Sequence, residues 1–385
     1  MDDARGSFVV VHATTAHPAS DARIAVRECG SLVKAGYDVR LVAQGPVSQH
    51  PRAHDIPVVL LPRRSGRARR ALNGTADVLR AVRRFRPDLV HVHDPELIPL
   101  VLLLRAFGTA TVYDAHEDLA AQVVSKPWIP RTMRPTVALA SRALVKVVGA
   151  AASSVVAATP HIAESFPARK TVVVRNYPSL VDGDGSASPE PFRREKVAVY
   201  VGAVTEDRGS VVLARAAELL PEGAIVMASP IADEHSRRLA REPGWSRINY
   251  LGQLDHADVL ALERSAVVGL VTLKATPAYV DSLPTKLFEY MAAGLSVVAS
   301  DFGTWSEVVR ESGCGILVDP VDPQAVASAI ARLLADPLEA LAMGESGRRA
   351  AVARFSWESE GATLVGLYDS LLPAARRSSV GLPGS

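Results

Sequence analysis

Lys286 and Glu289 are the residues whose types and spacing most directly suggest chemistry in this chain. Three positions apart, they project from one face of a helix. The surrounding pattern predicts that helix, with Ser282 as N-cap, Pro284 in the first turn, Gly294 at the left-handed position beyond the end, and Leu287, Tyr290 and Met291 on the buried stripe. Its free N–H groups and positive dipole end make an anion site near Pro284 and Thr285. Glu289 lies ~7 Å further along at 1.5 Å per residue, where a carboxylate can accept from two vicinal hydroxyls. A phosphate at the first turn and a ribose diol at Glu289 describe a nucleotide diphosphate. The blander reading is an amphipathic helix with an incidental Lys–Glu pair; cap, charge spacing and the apolar strand Leu295–Ala299 together argue against it.

Two strand ends in the first half carry further chemistry. Leu89-Val90-His91-Val92-His93 runs into Asp94-Pro95-Glu96, and Thr111-Val112-Tyr113 into Asp114-Ala115-His116-Glu117. Ligands of open α/β sheets sit beyond the carboxyl ends of strands, which places Asp94 and His116 on a cleft. So many His, Asp and Glu also raise a metal site. Against it, His91 and His93 share one strand face while His116 lies on another loop, and a buried, hydrogen-bonded histidine is the commoner fate of His91. Val199-Tyr200-Val201-Gly202-Ala203 followed by Glu206-Asp207-Arg208-Gly209 is a strand and turn that offers Arg208 at a helix start, either to an anion or to solvent. In His17-Pro18-Ala19-Ser20-Asp21-Ala22-Arg23-Ile24, Arg23 offers a second anion ligand or is a helix-surface arginine. Asp182-Gly183-Asp184 follows no strand and reads as turn chemistry. No G-x-G-x-x-G and no phosphate-loop Lys-Ser/Thr is present, which lowers dehydrogenase and ATPase readings.

The stretch Asp281 to Ser300 resembles the signature of family-4 retaining glycosyltransferases of the GT-B fold. There two carboxylates with seven residues between them precede a Met-Ala-x-Gly helix end and a Pro/Ser-Val-Val-Ala-Ser strand. Glu289 stands at the second carboxylate and Asp281 at the first, where the family has Glu. The strand ends at 89–96 and 111–117 and the turn at 199–209 are similar to the family's as well. The resemblance implies that Glu289 binds ribose and that Arg208 and Lys286 neutralise the diphosphate beside Gly202. Asp281 and the backbone of Ser282, Leu283, Pro284 and Thr285 would hold the sugar, with His116 facing it. His17, Arg23 and Asp94 would lie on the acceptor side. Ala203 stands where the family has a second cation, and the family's Gly-rich loop is absent near His17. No metal and no cofactor is implied, the nucleotide-diphosphate sugar being a co-substrate.

To position these groups the chain needs two sheets. Strand patterns at Phe8–Ala13, Tyr37–Ala43, Val58–Leu61, Leu89–His93, Thr111–Tyr113, Ser154–Ala158 and Thr171–Val174 alternate with helical ones, including Asp21 to Lys34, and predict a parallel sheet covered on both faces. A second alternation follows at 197–201, 224–228, 248–251, 267–273, 295–299 and 316–318, then helical patterns from Pro323 to Arg354 and Ser356 to Leu372. The expected fold class is α/β, a GT-B pair of Rossmann-like domains with a cleft between them. Domains are expected at 1–178 and 193–357, with a linker at 179–192, a helix at 358–375 crossing back to the first domain, anchored by Trp357 and Tyr368, and a disordered tail at 376–385.

Composition bounds the rest. The 385 residues are 48% hydrophobic and 22% charged, suiting a soluble two-domain protein. Leu97 to Leu104, interrupted by Pro99, is too short to span a bilayer. No signal peptide is apparent, and with only Cys29 and Cys314 the expectation is a reducing cytoplasm. Residues 1–178 carry 24 Lys and Arg against 14 Asp and Glu, and the remainder 19 against 27. The basic half, including the loop Pro62 to Arg70, attracts either an anionic or membrane-surface acceptor or simply the acidic half and solvent. Aromatic interleaving is absent there and the whole chain, at +2, is nearly neutral, which argues against nucleic acid. The expected function is retaining transfer of a hexose-type sugar from a nucleotide-diphosphate sugar to a hydroxyl acceptor, in the cytoplasm or peripherally at the inner membrane surface. A GT-B epimerase or hydrolase and a catalytically weak sugar-nucleotide binding protein are the alternatives; consumption of donor and acceptor separates them.

Overall fold

The computed structural model describes residues 8–44, 56–62, 73–119, 129–180, 194–277 and 279–372. The basic loop at 63–70, the linker from 181 to 192 and the tail at 376–385 lie outside them. The chain divides into two compact units, Met1–Asn176 with Trp357–Ser385, and Tyr177–Ser356.

The first unit is a seven-stranded parallel sheet. Its strands are β1 (Val9–Pro18), β2 (Asp38–Gln44), β3 (Val58–Leu61), β4 (Leu89–Val92), β5 (Ala110–Ala115), β6 (Ser154–Ala157) and β7 (Thr171–Val173), in the order β3-β2-β1-β4-β5-β6-β7. Successive residues serve opposite faces. Val11, Val90, Tyr113 and Val155 pack into one core cluster, while Val10, Leu89, Val112 and Val156 pack into another with Ile24, Leu32, Leu364 and Tyr368. Buried runs on both faces are what a parallel sheet demands. The second cluster is covered by α1 (Gly30–Lys34), which continues a π-helical segment Ala22–Cys29, and by the last helix, Trp357–Leu371. Trp357 donates from its indole N–H to Ser31 Oγ at 2.8 Å. β1 runs five residues beyond the expected Ala13, because it pairs again with β2 at Pro18 opposite Gln44 after a register shift.

The second unit repeats the architecture with six strands, β8 (Glu195–Val201), β9 (Ile225–Ala228), β10 (Asn249–Gly252), β11 (Ala266–Val271), β12 (Ser296–Ser300) and β13 (Gly315–Val318), ordered β10-β9-β8-β11-β12-β13 and all parallel. The strand order reverses at β1/β4 in the first unit and at β8/β11 in the second, and ligands of open α/β sheets bind at such switch points. The helical pattern expected from 323 to 354 is two helices, α2 (Pro323–Ala335) and α3 (Pro337–Arg354), with Asp336 capping the second through Leu338 and Glu339 N–H. Pro337 cannot donate to the preceding turn, so it opens a new helix. Among the described residues no helix is long and apolar enough to cross a membrane.

Close helix packing in the second unit rests on Gly344, where a Cβ would lie 2.2 Å from the Gly294 carbonyl oxygen. Gly344→Ala is expected to destabilise the protein by ~1–3 kcal/mol, the scale of overpacking a filled core. A urea midpoint unchanged from wild type at constant slope would overturn this.

Candidate functional site

The second unit brings together the residues expected to meet a diphosphate. Lys286 and Glu289 lie on a helix Thr285–Ala292, which ends on Gly294 in the left-handed conformation, φ 70°. Ser282 does not cap it. Its hydroxyl donates to the Tyr279 carbonyl at 3.0 Å, and Pro284 occupies the cap position, its carbonyl accepting from the Leu287 N–H at 3.0 Å with no side chain capping the helix. Tyr290, buried on the opposite face, accepts from the Val201 N–H at 3.0 Å and ties the helix to the end of β8. Beyond that strand end Gly202 (φ 144°) and Gly209 (φ 84°) both adopt backbone conformations that favour glycine, and a Cβ on Gly209 would lie 2.2 Å from the Thr272 carbonyl. The turn between them is thereby pressed against the end of β11.

That turn presents Arg208, whose Nε donates to the Tyr279 hydroxyl at 3.2 Å. Tyr279 immediately precedes the loop of Val280, exposed Asp281, Ser282, Leu283 and Pro284 that leads into the Lys286 helix. Lys274 stands at the same strand edge, its N–H on the Asp207 carbonyl at 2.8 Å and its Nζ 3.1 Å from Glu206 Oε1. At the expected second-cation position, Ala203 offers only a carbonyl, which accepts from the Tyr200 hydroxyl.

Lys286 is shared between two carboxylates, Glu289 at 2.5 Å and Glu263 at 2.9 Å. Glu263 was not among the expected site residues; it sits on the helix His256–Ser265, distant in sequence and without a motif of its own. Burial opposes the Lys286 ammonium, yet Glu289 and Glu263 outweigh it and raise its pKa. Burial pushes the Glu263 carboxyl up to about 7 against the pull of Lys286, with Glu289 adding to the rise. One cation cannot fully stabilise two adjacent anions, so the buried partner keeps its proton longer.

The first unit holds a second set. His12, His91 and His93 fall on the same sheet face as Tyr368, since β1 and β4 pair with His12 opposite His91 and side chains alternate. Asp114 on β5 shares that face by the same alternation. Above them the π-helical segment stacks residues five apart, which an α-helix would turn away from each other, and so aims both Arg23 and Glu28 downward. Arg23 is buried, with Nη2 3.1 Å from Asp114 Oδ1 and Nε 2.9 Å from Glu28 Oε1. It is therefore neither the exposed anion ligand nor the helix-surface arginine of the sequence reading. Asp94 is likewise buried, accepting from Thr14 Oγ1 at 2.9 Å and from the N–H groups of Thr15 and Ala16. Its carboxylate organises the end of β1 instead of facing an acceptor. His17 stays half-exposed, paired with Asp21 at 3.1 Å, and Asp21 in turn caps the π-helical segment through the Arg23 and Ile24 N–H groups.

His116 lies with Nε2 3.4 Å from Asp114 Oδ2 and is mostly buried. Burial pushes its pKa down to about 3 although Asp114 pulls it up, which leaves the ring neutral at ordinary pH. Burial would raise the Asp114 carboxyl, but Arg23, His116 and His93 hold it well below the usual range.

Residues 195–336 match the family profile described as glycosyl transferases group 1, and residues 22–177 one described as a glycosyl transferase 4-like domain. The chain is 34% identical over 139 residues to an MMP alpha-(1->4)-mannosyltransferase of Mycolicibacterium hassiacum, covering 36% of this chain and 33% of that protein. It is 33% identical over 189 residues to a D-inositol 3-phosphate glycosyltransferase of Corynebacterium urealyticum, covering 46% and 43%. The chain thus spans less than half the length of these two curated relatives. Its fold is similar to that of a sucrose-phosphate synthase from Thermosynechococcus elongatus, TM-score 0.72 at 21% identity over 95% of this chain and 99% of that one.

Glu263 gives the second unit a pH signature. With its folded pKa raised above the unfolded value, the folded state binds more protons between pH 4.5 and 7, and stability falls as pH rises through that window. Glu263→Gln should remove that slope, of total size on the order of 3 kcal/mol. Urea midpoints measured from pH 4.5 to 7.5 test it; parallel wild-type and variant curves would show that Glu263 is ionised throughout.

Proposed function

Because the chain belongs to the group-1, family-4 glycosyltransferases of the GT-B fold, we propose that it moves a hexose-type sugar from a nucleotide-diphosphate sugar to a hydroxyl acceptor with retention of configuration. The observation that carries this reading is the grip of Tyr279 on Arg208, which joins that cation to the loop opening into the Lys286 and Glu289 helix.

In this reading Glu289 accepts from the ribose diol, while Arg208, Lys286 and the first-turn N–H groups of the helix take the diphosphate. Lys286 is held ready by Glu263 and Glu289, and on donor binding it exchanges its contact with Glu289 for phosphate oxygen. Asp281 and its neighbours hold the sugar hydroxyls. The bond from the anomeric carbon to the phosphate breaks, the acceptor oxygen bonds the same face, and its proton passes to the departing phosphate. Leaving-group stabilisation by the two cations is the main catalytic effect. His116 supports the sugar as positive charge develops; a neutral imidazole does so without the repulsion an imidazolium would add. An anionic hydroxyl acceptor suits the basic first half of the chain, and no metal takes part in the transfer.

Glu289→Ala is expected to weaken nucleoside-diphosphate binding by roughly 1.5–3 kcal/mol, the scale of hydrogen bonds to a charged group; unchanged affinity by calorimetry would refute the ribose assignment. Arg208→Ala should be close to inactivating. If activity instead stays within tenfold, a barrier change below ~1.4 kcal/mol, Lys274 carries the charge. His116→Ala should keep nucleotide affinity and lose on the order of 10²-fold in turnover. Loss of affinity in proportion to rate would make it a ground-state residue. The reading as a whole is tested by thermal-shift screening against nucleotide sugars followed by product analysis with the tightest binder. Free sugar or an epimer as sole product would replace transfer with hydrolysis or epimerisation.

A further inference from the structure

We propose that His12, Glu28, His91 and His93 form a closed site for one divalent metal ion of the zinc class, buried in the first unit beneath the Trp357–Leu371 helix. The four side chains are at most 1% exposed, and each offers a ligand atom, all lying within 4.8 Å of one another. Three imidazoles and one carboxylate without thiolate suit Zn²⁺ and its first-row neighbours, and four protein ligands with no water-accessible position make a structural site.

Two facts point to a cation. Glu28 Oε2 and His91 Nε2 are fully buried with no hydrogen-bond partner, a costly state for two acceptors. The distance from Glu28 Oε2 to His12 Nδ1, 3.8 Å, exceeds hydrogen-bond reach. It falls within the span of two ligands each ~2.1 Å from a common ion, which is about 3.4 Å for a tetrahedron and 4.2 Å at most.

The outer contacts suit this as well. The Tyr368 hydroxyl lies 2.7 Å from His91 Nδ1 and 3.1 Å from His12 Nε2, so it engages in each ring the nitrogen other than the proposed ligand atom. His93 Nδ1 lies 3.2 Å from Asp114 Oδ2, which leaves Nε2, 2.9 Å from His12 Nδ1, for the ion. Partners of this kind fix the tautomers of metal-binding histidines. Arg23 occupies the other Glu28 oxygen. A chain of single protons from His91 through Tyr368, His12 and His93 to Asp114 satisfies every link in that chain. It still strands His91 Nε2 and Glu28 Oε2, and the ion satisfies both. His93, Asp114 and His116 form a second possible group, but they share His93 with the first, number three, and include a side chain partly open to solvent.

The test uses the full chain prepared without chelator or metal-affinity tag. Elemental analysis should find about one zinc per chain. After stripping, ZnCl₂ should restore a higher Tm at one equivalent, and Co²⁺ should give the intense visible bands of a tetrahedral ion. Glu28→Gln, which keeps the side-chain shape, should weaken zinc binding by more than about 100-fold. Tyr368→Phe should weaken it by about tenfold, the range of outer partners. A folded wild-type chain that neither retains zinc nor shifts its Tm with ZnCl₂ overturns the site in favour of the proton chain, whatever becomes of the variants. Zinc bound equally well by Glu28→Gln overturns the ligand assignment.

Discussion

The buried guanidinium of Arg23 is the fixed charge on which the interior of the first unit depends. It pairs with Asp114 from below and Glu28 from within its own helix, and donates through Nη1 to the Val174 carbonyl at 3.1 Å. A buried cation is tolerable only when surrounded by such partners. Removing Arg23 would leave Glu28 and Asp114 buried without their shared cation, so the cluster holds the π-helical segment, β5 and the chain just after β7 to one arrangement. The π-helical geometry follows from the same demand, because only residues five apart need to face the sheet together.

The second unit repeats this pattern of one cation between two carboxylates nearer the surface. Glu263 and Glu289 flank Lys286, and the cluster sits at a helix start that no side chain caps. A site that holds its cation between two anions keeps that cation in place at moderate cost. It can also yield it to a more highly charged ligand, since the Glu289 contact is partly open to solvent while the Glu263 contact is buried. Tyr279 and Tyr290 give this charged surface its rigidity, the first through Arg208 and the second through the Val201 N–H.

Much of this was legible in the chain. Hydrophobic runs and turn residues marked the thirteen strands of the described residues within two residues, apart from the end of β1, because strands buried on both faces read as short apolar runs. Gly294 marked a helix end, since a left-handed residue there favours glycine. That Lys286 and Glu289 share a helix face and that Arg208 stands in a turn before a helix followed from local spacing, as helix and turn geometry depend on near neighbours in sequence.

What only the tertiary structure decided is which of these groups face one another. Ser282 looked like a cap and bonds to Tyr279 instead; Arg23 and Asp94 looked exposed and are buried; Glu263, Glu28 and His12 carried no local signal at all. Their roles come from strand register and helix placement, which put His12 opposite His91 across β1 and β4 and bring Glu263 beneath Lys286. The sequence by itself determined the periods and the turns, because those are set by backbone sterics over a few residues. Charge pairing between residues 23 and 114, or 263 and 286, needs the sheet to assemble first, so no window of sequence contains it.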